Sequence, residues 1–125
     1  MSKLSKALIV LVALLHLVFL VLEMFLWQSE PVMARFGTTP AFAAQSAVLA
    51  MNQGLYNGFL SAGLLWSLML GDAAHGRASA RFFLACVVVA GVFGGLTAKP
   101  SILVVQALPA LLALATTFLA PARSR

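Results

Sequence analysis

Four apolar runs, at about residues 7 to 28, 46 to 70, 82 to 98 and 102 to 120, take up most of this 125-residue chain. A bilayer hydrocarbon core about 30 Å thick is crossed by roughly 20 apolar residues of helix, so four helical crossings are expected. Little is left outside the membrane, and any recognition or chemistry must be built from the helices and their short connections. Composition agrees: 62% of residues are hydrophobic and 9% charged, whereas soluble domains are about a quarter charged. The expected fold is a single all-α domain over residues 1 to 125, a polytopic membrane protein forming a four-transmembrane-helix bundle.

The distribution of Lys and Arg sets the expected orientation. Lys3, Lys6, Arg77, Arg81, Arg123 and Arg125 flank one side, and Arg35 and Lys99 flank the other. Both termini are therefore expected in the cytoplasm, in a multi-pass protein of the bacterial cytoplasmic (inner) membrane. The net charge of +5 then reflects topology and contact with anionic headgroups of the membrane lipids. No nucleic-acid partner is expected, because the basic residues are dispersed in pairs without interleaved aromatics. MSKLSK resembles the start of a signal peptide and PAFA before Ala44 resembles a cleavage site. The apolar run is long for that role, and the cut would fall far beyond it, so an uncleaved first span is expected. Cys86 is the only cysteine, which excludes an intramolecular disulfide and leaves it as a small core hydrophobe. No cofactor motif and no metal-ligand cluster is present.

The connections differ in character. SEPVMARFGTTP, with Pro31, Gly37 and Pro40, is expected to be irregular and periplasmic, with Thr39 capping and Pro40 opening the next helix. GDAAHGRASAR is expected to be a polar cytoplasmic loop with His75 solvated. AKPS is so short that the last two helices must form an antiparallel hairpin. Lipid is as apolar as leucine, so the helices need close approach or polar contacts to associate. Gly54, Gly58 and Ala62, Ala90 with Gly94, and Gly91 with Gly95 are the expected packing positions.

One stretch, HLVFLVLEMFLW (residues 16 to 27), carries the only acid in any span. A charge at mid-bilayer costs about 2.5 to 3.5 kcal/mol on insertion scales, so such a group faces the interior of the protein. Steps of four, three and four put His16, Leu20, Glu23 and Trp27 on one face. His16 and Glu23 stand roughly 10.5 Å apart along the axis, too far to touch directly. Counting from the helix ends brings Asn52 and Gln53 of the second span near the level of Glu23 and sets Tyr56 and Asn57 one turn deeper, between Glu23 and His16, with the four side chains expected on one broad face. Gln106 of the fourth span lies a few residues in from the same side. Pro109 cannot donate to the carbonyl of Val105 and frees an acceptor there. The expected ligand-binding set is Glu23, His16, Asn52, Gln53, Tyr56, Asn57, Gln106 and Trp27, around a cavity open to the periplasm. The plainer alternatives are an interhelical hydrogen-bond network, a core role for His16 and an interfacial anchor for Trp27.

HLVFLVLEMFLW, MNQGLYNGFLSAGLLW, FFLACVVVAGVFGG and VVQALPALLAL together resemble the blocks of a family of small bacterial four-span membrane proteins, domain of unknown function thirteen hundred and four. The resemblance spans nearly the whole chain and implies a four-helix membrane fold. It implies no activity and assigns no catalytic residue.

Three functions fit these residues. One is binding or transport of a small amphipathic or cationic molecule, with Glu23 as the exchangeable acid. Small multidrug exporters, similarly short with a glutamate in the first of four spans, are an analogy of plan only. They pair in antiparallel fashion, whereas the charge bias here predicts one orientation, compatible with a parallel homodimer. The second is an intramembrane enzyme using Glu23 or His16 as acid or base on a lipid or isoprenoid-like substrate, although no nucleophile has an adjacent base. The third is a structural or accessory subunit.

Overall fold

A run of apolar residues without a helix breaker satisfies every internal backbone group only as a helix. The computed structural model, which describes residues 1–119, is accordingly helical throughout. Its helices are α1 (Lys3–Met24), α2 (Glu30–Phe36), α3 (Pro40–Met69), α4 (Ala74–Thr97) and α5 (Leu108–Leu119), the last continuing from a π-helical turn at Leu103–Ala107. No strand occurs among the described residues. Helices α1 and α4 are long and apolar enough to cross a membrane. Helix α3 has 30 residues, but Asn52, Gln53, Tyr56 and Asn57 interrupt its apolar run. The helical stretch Leu103–Leu119 is apolar and shorter. Arg123, Arg125 and the end of the fourth apolar run at Ala120 lie outside the described residues.

Two connections are more helical than the sequence suggests. Residues 29 to 40, expected to be irregular, contain α2. Its Pro31 falls in the first turn, where the missing N–H has no partner to lose and the fixed φ suits a helix. Gly37 ends α2 in the left-handed region at φ 70°, donating its N–H to the Met33 carbonyl. Helix α3 then opens at Pro40 as expected, with Thr39 Oγ1 accepting the Phe42 N–H at 3.2 Å. The loop expected over residues 71 to 81 is reduced to 71–73, because the alanine-rich segment that follows already belongs to α4. His75 is exposed, as expected.

The chain forms two compact units, Met1–Leu14 with residues 60 onward, and Leu15–Phe59. Helices α1 and α3 contribute to both. The core of the first unit is Ile9, Val12 and Ala13 of α1, Leu64 of α3, Ala80, Leu84 and Val87 of α4, and Ala110 and Ala113 of α5. Small side chains predominate, so the helix backbones come close. Ser5 Oγ donates to the Thr116 carbonyl at 3.0 Å and Ser61 Oγ to that of Ala13 at 2.9 Å. Gly91 and Gly95 pack on Ala107 and Leu103 of the π-helical turn.

At the turn between α3 and α4 in the same unit, Asp72 receives the Met1 amine at 2.7 Å and the Lys6 ammonium at 3.2 Å. The hydrogen bond from the amine, and then the one from Lys6, hold the Asp72 carboxyl down at about 2 from its usual 3.8. A depressed folded-state pKa stabilises the protein above the unfolded value, and the contribution is lost as pH falls from about 4 toward 2. Wild type and Asp72→Asn should therefore melt apart in detergent at neutral pH and converge as pH approaches about 2. A gap of constant size across that range would show that the ion pairs contribute nothing.

Candidate functional site

Within the unit Leu15–Phe59, the buried face of α3 is set by Ala43, Ala50, Gly54 and Asn57, spaced seven, four and three apart and so aligned on one side of a helix. Gly54 is the point of closest approach. A Cβ there would lie 2.7 Å from Met24 Cγ, 3.1 Å from Glu23 Cβ and 3.1 Å from the Leu20 carbonyl oxygen. Only a glycine lets α1 and α3 come this near. One turn later on the same side of α3, Asn57 is 6% exposed. Its Nδ2 donates to Glu23 Oε2 at 2.7 Å and to the Gln53 carbonyl at 3.3 Å. The first is a charge-assisted length, and it joins the half-buried acid of α1 to a buried amide of α3.

The other expected residues divide. His16 is buried, 1% exposed, with its ring edge-on to Phe19 at 6.0 Å between centroids. Asn52, Gln53 and Tyr56 carry exposed side chains, Tyr56 at 53%. Gln53 reaches the pair only through its backbone carbonyl. Tyr56 instead stacks edge-on with Phe59, centroids 6.1 Å apart. The expectation that four side chains of α3 share one face with Glu23 is corrected here. Asn52, Gln53 and Tyr56 point away from the side fixed by Gly54, and Asn57 alone points inward. Trp27 donates its indole N–H to Ser46 Oγ at 3.0 Å and packs on Phe36, centroids 5.1 Å apart. It ties the end of α1 to α2 and the start of α3. Ser46 was missed from sequence, although a tryptophan near a helix end needs an acceptor for its N–H. Gln106 lies in the other unit, half-buried in the π-helical turn.

Chemically, an acid and an amide held 2.7 Å apart form an orienting pair. The amide has no titratable proton, so it fixes the carboxylate without exchanging protons with it. No group of three or more metal-binding side chains occurs among the described residues.

Known proteins place this arrangement in context. "Uncharacterized protein YpaA" of Lactococcus lactis subsp. lactis (strain IL1403) is 30% identical over 120 residues, covering 94% of this chain and 99% of that protein. No solved structure matches. The family model described as "Protein of unknown function (DUF1304)" matches residues 10–118, which include Glu23, Gly54 and Asn57, and the chain belongs to that family.

Proposed function

We propose that this is a four-span protein of the bacterial cytoplasmic membrane, both termini cytoplasmic, that binds or transports a small amphipathic or cationic molecule at Glu23. The observation that carries the reading is the 2.7 Å bond from Asn57 to Glu23. Side-chain hydrogen bonds in membrane proteins average only about 0.6 kcal/mol, less than the insertion cost of an acid, roughly 2.5 kcal/mol or more. Helix association alone is therefore a poor reason to keep a glutamate here, and a neutral pair would do it better. A ligand that neutralises the carboxylate supplies the missing reason. In this reading Gly54 sets the spacing at the base of the pair.

Glu23→Gln tests it. The substitution is nearly isosteric, and the amide can still accept from Asn57, so folding should be kept. Binding of amphipathic cations to the purified full-length protein should fall about tenfold or more, the loss expected for a hydrogen-bonded charge pair. Isothermal titration in a non-ionic detergent reads the change. Unaltered binding would overturn the assignment of Glu23.

A further inference from the structure

The hydrogen-bond inventory of the Glu23–Asn57 pair narrows the class of ligand, an inference that rests on the function proposed above. An asparagine amide offers two donors on nitrogen and an acceptor on oxygen, and which end points where follows from its partners. The Gln53 carbonyl can only accept, so the atom facing it at 3.3 Å must be Nδ2. The same nitrogen meets Glu23 Oε2, and both donors are thereby committed. What the pair has left are acceptors, Asn57 Oδ1 and Glu23 Oε1, and neither takes a hydrogen bond from the described residues. Neither is sealed off, since Thr38 Oγ1 is the one fully enclosed side-chain polar atom without a partner among those residues. Asn57 itself is more than nine-tenths buried, in a place where an unmet acceptor is costly.

We propose that Glu23 and Asn57 form a donor-selective cation site, which takes a primary ammonium or guanidinium group with N–H bonds for both oxygens. One positive charge neutralises the carboxylate, and two N–H groups satisfy Oε1 and Oδ1 together. An anion meets only acceptors and is repelled. A quaternary ammonium supplies charge but no N–H, leaves Asn57 Oδ1 unmet and binds more weakly. The side chains of Met24, against Gly54, and of Leu20, against Gly58, offer apolar contact to a hydrocarbon tail on the same ligand.

The test compares dodecylammonium with dodecyltrimethylammonium, which share a tail and a charge and differ in N–H. Each is titrated against the full-length protein in a non-ionic detergent, with Glu23→Gln as the background for micelle partitioning. The primary ammonium should bind about tenfold tighter than the trimethyl compound, as for a hydrogen bond to a charged or buried group. Asn57→Leu, close in volume, should bring the ratio to about one. Equal affinity in the wild type, or tighter binding of the trimethyl compound, would overturn donor selectivity while leaving the function at Glu23 standing. A preference that survives Asn57→Leu would overturn the assignment to this pair. If neither compound binds above the Glu23→Gln background, the proposed function fails and this inference with it. The wild-type comparison needs only the Glu23→Gln background, so it decides even if Asn57→Leu does not fold.

Discussion

Gly91→Ala should lower stability by a net of about 2 kcal/mol, read as a drop in melting temperature in detergent. A Cβ on Gly91 would meet the Ala107 backbone nitrogen at 2.7 Å and its Cα and Cβ at 2.9 Å. Backbone cannot rotate out of the way, so the helices must separate. Overpacking of this kind costs about 3 kcal/mol, and the better helix propensity of alanine returns at most about 1 kcal/mol. Gly94→Ala is the matched control. There a Cβ would approach Ile102 Cγ2 at 3.3 Å, the end of a side chain that can shift by a few tenths of an ångström. Propensity then dominates, and stability should stay level or rise slightly. If Gly91→Ala melts no lower than Gly94→Ala, the close contact of α4 with the π-helical turn is not what holds that part of the unit together.

How much of this was legible in the sequence follows from how strictly each feature is dictated by local chemistry. The opening of α3 at Pro40 was legible, because a threonine cap followed by proline has one favourable geometry. Helix α2 was not, since Pro31 and Gly37 read equally well as loop markers or as the first turn and cap of a short helix. At Pro109 the local consequence was clear and the remedy was not. The lost donor is accommodated by widening the preceding turn, so that the Leu108 N–H reaches the Leu103 carbonyl in a π-helical step. Depth counting, which rests on the nearly invariant rise along a helix, put Asn52 and Gln53 at the level of Glu23 and Asn57 one turn deeper, whereas Asn57 is the residue that bonds Glu23. Nor could counting say which of Asn52, Gln53, Tyr56 and Asn57 points inward, because rotation about the axis is set by packing. The small residues hold that information. Gly54, Gly58 and Ala62, spaced by four, drift around the helix by about 40° at each step, and Ala62 ends up exposed. Gly54 and Ser61, spaced by seven, stay on the buried side. Ranking candidate polar residues by their angle from the closest glycine would have selected Asn57.

Gly54→Val should weaken ligand binding as much as Glu23→Gln does, about tenfold to a hundredfold, without touching any charge or hydrogen-bonding group. The new Cβ would press on Met24 Cγ at 2.7 Å, on Glu23 Cβ at 3.1 Å and on the Leu20 carbonyl at 3.1 Å. Met24 can swing aside, but the Leu20 carbonyl belongs to the α1 backbone and can give way only if α1 and α3 part. Hydrogen bonds weaken steeply with distance and angle, and the 2.7 Å bond between Asn57 and Glu23 lies one turn from the intruding side chain. Parting the helices by even about 1 Å takes that bond beyond hydrogen-bonding range. The double variant Glu23→Gln with Gly54→Val separates this account from general destabilisation. If spacing acts only through the pair, the second substitution should cost little once the carboxylate is gone, because the two act on one interaction. Binding losses that add in full would mean that Gly54 supports the ligand by a route independent of Glu23. Binding that Gly54→Val leaves intact would mean that the close approach of α1 and α3 does not set the geometry of the site.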